Sequence, residues 1–378
     1  MKPPYRCWAE IDFDALRDNL FKIRHSVGPK ARIMTVVKAD AYGHGLKPIA
    51  GLLMQSGTDI FGVANLAEAG AIRSVGKGWP ILMLGPCLPH EVEEAVREGV
   101  MPTISSAAEA ESFSQAARKL KQSVLIHLKV DTGMGRLGIA PQGAASLAKQ
   151  IAKLPGLKLE GIYTHFASAE EDPAYSSRQL RQFEAVLDQL KAGRIEVPMI
   201  HAANSGGLLH EPRCIFNLVR PGLLVYGIAP PGRRNRTEKD SVSPALSLHC
   251  RVGFVKTVPP GARLSYGGTF TVPRPMRVAT ITAGYGDGYF RAASNRADVL
   301  VKGKRCRVLG RVTMDQTLID VSAVRGVQVG DEVILLGRQR REEITAGELA
   351  EQCGTVPWEV LTAISYRVPR VYRGSQAA

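Results

Sequence analysis

The stretch "RIMTVVKADAYGHG", residues 32–45, carries the reading of the fold. Ile33, Met34, Val36 and Val37 make a short apolar run of the kind that fills a strand buried on both faces of a parallel sheet. Such a run normally ends in a turn residue, whereas this one ends in Lys38, with Tyr42, His44 and two glycines just beyond. An ammonium at the tip of a core strand has two readings. It snorkels its head into solvent, or its burial depresses the pKa and leaves a nucleophilic amine. The stretch alone supports both.

Working outward, the same texture recurs along the first 225 or so residues. Apolar strands are expected at 32–37, 60–64, 80–84, 101–104, 124–130, 159–164, 198–202 and 216–219, with amphipathic segments between them. The clearest of these is "SRQLRQFEAVLDQLKAG", where Leu180, Phe183, Val186, Leu187 and Leu190 share one helical face and Gly193 supplies the stop. Eight strands separated by crossovers predict a parallel sheet, and eight is the number that closes a (β/α)8 barrel. An open doubly wound sheet is the alternative, weakened because no G-x-G-x-x-G follows the first strand. After about residue 240 the chain becomes β-branched between glycine turns, with short helices expected in "TAGELAEQCG" and "PWEVLTAIS". The reading is therefore a barrel over residues 1–240 and a mostly β domain over 241–378, divided in the polar stretch "PPGRRNRTEKDSVSP" (230–244).

Composition narrows the class. The 378 residues are 45% hydrophobic and 22% charged, ordinary for a globular protein. No apolar run approaches the roughly 18 residues of a membrane span, and "MKPPYRCWAEIDFD" lacks the apolar region of a secretory leader. A cytosolic address is the expectation. The six cysteines (Cys7, Cys87, Cys214, Cys250, Cys306, Cys353) have neither disulfide-framework nor zinc spacing. The net charge of +14 raises a nucleic-acid partner, but the basic residues are spread along the chain without a recognition helix or aromatic RNA-binding motif. A solvated basic surface that attracts anionic metabolites fits better. No metal, membrane or nucleic-acid partner is expected.

Barrel chemistry collects at the C-terminal ends of strands. Those ends carry Lys38 and Tyr42; Lys129 and, in "DTGMGRLG", Arg136; His165; Asn204 and Ser205 in "HAANSGG"; and Arg220 and Gly222 in "VRPGLLVYG". Ser205 and the backbone amides near Gly206 and Gly222 suit a phosphate. A lysine able to form an imine and an arginine in the same mouth suggest pyridoxal phosphate, an electron sink for carbanions.

Taken in order, "VVKADAYGHG", "DTGMGRLG", "HAANS", "VRPGLLVYG", "SYGGTF", "TMDQ" and "ISYRVPRVY" resemble the successive signature segments of alanine racemases, over about residues 5 to 373. The resemblance implies a fold-type III pyridoxal-phosphate isomerase with an N-terminal barrel and a C-terminal β domain. It would interconvert L- and D-alanine and supply D-alanine for peptidoglycan; a serine or broad-specificity racemase of the same fold is the alternative. It implies that Lys38 holds the cofactor and serves as base on one face of Cα, with Tyr266 on the other. Inverting a centre by deprotonation needs a proton acceptor on one side and a donor on the other. Without the resemblance, Tyr266 reads equally as a strand-edge tyrosine.

Further roles follow from the same likeness. Arg220 would donate to the pyridine nitrogen, since guanidinium does not surrender its proton, with His165 bonded to Arg220 or Tyr266. Tyr42, Asn204, Ser205, Gly222, the amide of Leu223 and Tyr366 would hold the cofactor, chiefly its phosphate. Arg136 and the Met314 amide would meet the substrate carboxylate, with Asp315 supporting that turn and Tyr285 and Tyr366 narrowing the entrance. Lys129 occupies the carbamylated-lysine position. Thr313 departs from the family, which more often has cysteine there. A homodimer with composite sites, each C-terminal domain completing the partner's barrel mouth, is also implied.

Overall fold

The computed structural model describes residues 4–230 and 242–375. The expected division at residue 240 lies outside the described residues. The chain forms two compact units. One comprises Arg17–Ala41 and Gly45–Ser243; the other comprises Met1–Leu16, Tyr42–His44 and Pro244–Ala378.

The N-terminal strand β1 (Cys7–Asp12) belongs to the second unit. The first unit is built on β2 (Arg32–Val36), β3 (Ile60–Val63), β4 (Ile81–Met83), β5 (Met101–Ile104), β6 (Val124–Lys129), β7 (Leu157–Tyr163), β8 (Met199–His201) and β9 (Leu218–Val219). All eight run parallel in the order β8-β7-β6-β5-β4-β3-β2-β9. Between β8 and β9 the ring is bridged by hydrogen bonds at both ends of the strands. Ile200 N–H donates to Asn217 Oδ1 at 2.7 Å and Arg220 N–H to the Ala203 carbonyl at 2.9 Å. Each expected strand is found, within two residues at either end.

Apolar side chains near the N-terminal ends, Met34, Ile60, Leu82, Met101, Met199 and Leu218, form one buried cluster. They fill the barrel floor, so the opposite, C-terminal rim is where polar groups gather. The helix Pro173–Ala192 buries Leu180, Phe183, Val186 and Leu190, and Asp172 caps it by accepting Tyr175 N–H at 2.9 Å. Gly193 follows as its C-terminal cap, as expected. Gly193 has φ −78°, and the left-handed residue is Arg194 at φ +54°.

The second unit carries β10 (Leu246–Val258), β11 (Arg263–Leu264), β12 (Phe270–Thr271), β13 (Met276–Ile281), β14 (Asp298–Val301), β15 (Lys304–Arg307), β16 (Thr317–Asp320), β17 (Glu332–Gln339), β18 (Glu342–Ile344) and β19 (Arg370–Arg373). Its main sheet runs β15-β14-β17-β10-β1-β19, with β13 on β10 and β16 on β13. The expectation that residues from 1 onward belong to the barrel is corrected by β1. It lies antiparallel to β10, Cys7 opposite Cys250, and parallel to β19, Ala9 opposite Arg370. Trp8, fully buried, stacks on His249 at 5.1 Å in this sheet. The two expected helices are present as Ala346–Cys353 and Pro357–Thr362.

Gly161 of β7 faces His127 of β6 across the pair, and a Cβ there would lie 2.2 Å from the imidazole. Gly161→Ala is expected to cost about 1–3 kcal/mol by overpacking, read as a lowered urea midpoint with unchanged slope.

Candidate active site

The backbone turns abruptly after Lys38. Ala39, Asp40, Ala41 and Tyr42 all have φ between +52° and +55°, one turn of left-handed helix made of non-glycine residues. Each such residue costs roughly 1–2 kcal/mol, and strain of this kind persists only where surrounding bonds impose it. Those bonds are present. Ala41 N–H donates to the Val37 carbonyl at 2.9 Å, Gly45 N–H to the Asp40 carbonyl at 2.9 Å, and Leu46 N–H to Asp40 Oδ1 at 2.7 Å. Gly43 follows at φ +79°, where a Cβ would lie 2.3 Å from the Leu361 carbonyl oxygen, so no other residue fits. Tyr42, at the end of the turn, is buried, and burial pushes its hydroxyl pKa up.

Lys38 is half-buried, not snorkelling free. Burial first, and then the nearby Arg136 guanidinium, hold its amine below the ordinary lysine value, opposed by Glu68. Lys129, only 4% exposed, is driven well below that value by burial and by Arg220 and Arg136. Its Nζ lies 4.5 Å above the Tyr163 ring with no hydrogen-bond partner among the described residues.

Arg220, 3% exposed, has no carboxylate partner among the described residues. Neutral acceptors surround it. Nη2 donates to the carbonyls of Thr164 (2.8 Å) and Ala202 (3.0 Å) and contacts His165 Nδ1 at 3.3 Å; Nη1 donates to His201 Nδ1 at 2.9 Å. Burial brings its pKa down to about 10, which leaves it charged near neutrality. Because guanidinium only donates, His201 must accept at Nδ1 and is neutral with its proton on Nε2. That proton points the next bond, to His127 Nδ1 at 2.9 Å, so His127 is also the neutral Nε2–H form. Tyr163 stacks on His201 at 4.6 Å and bonds Thr103 at 2.8 Å.

His165 contacts Arg220, one of its two expected partners, and burial plus the neighbouring cations hold it well below the ordinary imidazole value. Its carbonyl accepts from Gln179 Nε2 at 3.2 Å, while Gln179 Oε1 takes Ala167 N–H at 2.9 Å. The "DTGMGRLG" loop bearing Arg136 is folded by Asp131, whose carboxylate accepts from Gly133 and Gly135 N–H, both 3.0 Å from Oδ1. At the last two strand ends, Asn204 caps the helix Ser205–His210 through Gly207 N–H at 2.8 Å. Ser205 Oγ accepts from Gly222 N–H at 2.9 Å and Leu224 N–H at 3.3 Å, on either side of Leu223. The serine hydroxyl thus ties together the two turns expected to hold phosphate.

In the second unit Tyr266 and Tyr366 are 72% and 97% exposed, and Met314 is 52% exposed. Tyr285 N–H donates to the Thr313 carbonyl and Gly286 N–H to the Met314 carbonyl, at 3.0 and 2.9 Å, joining the expected entrance and substrate segments. Asp315 supports this turn through Arg367, whose Nη2 lies 2.7 Å from Asp315 Oδ1 and whose Nε lies 3.5 Å from Asp287. Thr313 Oγ1 donates to the Gln316 carbonyl at 2.7 Å, so its hydroxyl closes the turn.

Two arginines and two lysines of lowered pKa at one set of strand ends, with Glu68 and Asp131 the carboxylates that act on the two lysines, fit an anionic, phosphate-bearing cofactor attached through an amine. The family models for the alanine racemase N-terminal and C-terminal domains match residues 11–230 and 245–372. The chain belongs to the alanine racemase family. An alanine racemase of Carboxydothermus hydrogenoformans is 42% identical over 97% of this chain and 99% of its own. The alanine racemase structure of Clostridium difficile 630 superposes with a TM-score of 0.92 at 35% identity, covering 98% and 97% of the two chains. That of Bartonella henselae, which has covalently bound pyridoxal phosphate, gives 0.88 at 28% identity, covering 98% and 100%. This family is one of pyridoxal-phosphate-dependent racemases, and the activity is interconversion of L- and D-alanine. Its named relatives do not favour the serine or broad-specificity alternative.

The reading of strand ends passed over Tyr163 and His201, the last residues of β7 and β8, and could not reveal His127 or Gln179, which lie away from those ends. His127 lies inside β6, where an isolated imidazole reads as core, although spacing places it two residues before Lys129 on the same strand face. Native His127 is held near pKa 3, chiefly by burial, and His201 also lies well below 6.5. The unfolded chain therefore binds protons that the native state refuses as pH drops below about 6.5, and stability falls with it. A urea midpoint that declines between pH 6.5 and 4.5, with a shallower decline in His127→Asn, is the expected result.

Proposed function

We propose that Lys38 and Tyr266 are the two proton-transferring groups of this racemase. The observation that carries the proposal is the half-buried Lys38 amine, held below its ordinary pKa at the end of a left-handed turn. Pyridoxal phosphate, when bound, supplies the electron sink that stabilises a carbanion at the substrate Cα. Lys38 would hold it covalently and, once released, take or return a proton at Nζ on one face. Tyr266 Oη would do so on the opposite face. Lysine and tyrosine both start near pKa ~10, and for Lys38 the required lowering comes from burial and Arg136.

Arg220 would donate to the cofactor's ring nitrogen and keep that nitrogen unprotonated, because neutral His201 already occupies its other edge. Tyr42, Ser205, the amides of Gly222 and Leu223, and Tyr366 would hold the phosphate, with Asn204 shaping the turn. Arg136 and the Met314 amide would orient the substrate carboxylate, for which a planar guanidinium is suited, with Asp315 behind them. Tyr285 and Tyr366 would leave room for a small side chain. Lys129 would carry a carbamate: carbon dioxide adds to a neutral amine with loss of a proton, and burial among cations keeps this amine neutral. The resulting anion would pair with Arg136.

The exposed Tyr266, Met314 and Tyr366 support a homodimer in which each C-terminal domain completes the partner's site. D-alanine for cell-wall peptide would be the product used, and six unpaired cysteines are in keeping with a cytoplasmic address.

Lys38→Ala is expected to lose both the visible absorbance of bound cofactor and racemisation. Tyr266→Phe should keep the absorbance and lose about 10²–10⁴-fold in racemisation, while heavy-water exchange at Cα persists without inversion on one face. Normal racemisation by Tyr266→Phe would overturn its role. Mixing the two inactive variants tests the composite site. A mixed dimer holds one site with both native groups, so activity should return on subunit exchange; sites complete within one chain would stay dead.

A further inference from the structure

The carboxylate of Glu68 is split between two loops. Glu68 is the third residue of the helix Leu66–Arg73 that follows β3, and its own N–H is capped by Asn65 Oδ1 at 3.0 Å. At this position a glutamate ordinarily turns back to its own helix start. Glu109, the equivalent residue after β5, does so: Oε2 takes the N–H groups of Ser105 and Ser106 at 2.6 and 3.1 Å. Glu68 keeps only one such bond, Oε2 to Ala64 N–H at 2.7 Å. Oε1 reaches across to the loop after β2 and accepts Ala39 N–H at 2.7 Å. Both are short bonds to an ionised acceptor, the stronger class.

Ala39 is the first residue of the left-handed turn and directly follows Lys38. On the other side of Lys38, Val37 N–H donates to the Gly62 carbonyl of β3 at 2.9 Å. The peptides flanking Lys38 are thus fastened, before and after, to one neighbouring strand and its helix. Helix capping alone would not need the Ala39 bond, since Asn65 and Ala64 already satisfy the helix start. The bond instead holds the first residue of a turn that would otherwise relax its positive φ.

We infer that Glu68 is a positioning residue for the racemase: it clamps the strained turn that presents the Lys38 amine. The inference rests on the reading of Lys38 as a proton-transferring group. The charged or titratable groups acting on Lys38 are Arg136, Glu68 and His165, and Glu68 is the anion among them. A glutamine at this position keeps one acceptor but sets an NH2 against the second N–H, and an aspartate keeps the charge but is one methylene too short to span both loops.

The test uses the holoenzyme and its Glu68→Gln and Glu68→Asp variants. In Glu68→Gln, kcat/KM should fall about tenfold, equally in both directions because the overall equilibrium is fixed. The substrate Cα-deuterium isotope effect should rise for one enantiomer only, the one whose proton Lys38 takes. Hydroxylamine should strip the cofactor faster, read by loss of visible absorbance, and Glu68→Asp should lie between wild type and Glu68→Gln. Unchanged kcat/KM, or isotope effects that move alike for both enantiomers, would overturn the inference. Should Glu68→Gln not fold, the same asymmetry in Glu68→Asp decides. Borohydride reduction of wild type followed by peptide mapping separates the two ideas: a cofactor label on a lysine other than Lys38 would overturn the Lys38 reading and the inference with it, whereas a label on Lys38 with unchanged Glu68→Gln kinetics would overturn the clamp alone.

Discussion

A guanidinium with no carboxylate partner among the described residues, Arg220, lies buried at the end of β9, and its neighbours make that tolerable. Burying an unpaired charge is costly unless hydrogen bonds replace water. Here two carbonyls and two imidazoles supply acceptors. Burial is the first cause that keeps His201 and His127 neutral and lowers both lysines; Arg220 adds to it at the histidines and Lys129 and fixes the histidine tautomers, while Arg136 adds to it at Lys38. An array of cations and neutral bases is the complement of a phosphate-bearing anion and a carboxylate substrate. Burial, with the neighbouring guanidinium charges second, holds the lysine amines toward the nucleophilic form.

The second constraint is conformational. A barrel supplies rigid strands, and chemistry is added in the turns that leave them. At Lys38 that turn is left-handed over four residues, a conformation no sequence propensity favours. It stands because bonds from β3 and its helix, together with Asp40, hold it from several sides. Sites of this kind break local rules, and the surrounding fold bears the cost. In the second unit the analogous support is ionic. Arg367 links Asp287 and Asp315 beneath the segment that carries Met314.

Much of this was legible in the chain. Short apolar runs at regular intervals located all eight barrel strands because strands buried on both faces admit little else. Reading their C-terminal ends then led to Lys38, Lys129, Arg136, His165, Ser205 and Arg220. The strand β1 escaped because "CWAEID" is six residues pairing with partners more than 230 positions away, and no local pattern records that choice. His127 and Gln179 looked like ordinary strand and helix residues; only proximity to Arg220 and His165 makes them part of the site.

The amino-acid sequence alone determined which segments are strands, where their ends fall and which reactive side chains those ends bear, since periodicity and residue type are local properties. The tertiary structure decided protonation, strain and alliance. The histidine relay has its tautomers only because a buried guanidinium abuts it, and the role of Glu68 exists only because two loops distant in the chain meet at one carboxylate. Electric fields and long-range hydrogen bonds depend on distances between residues far apart in the chain, and those distances arise only when the barrel closes.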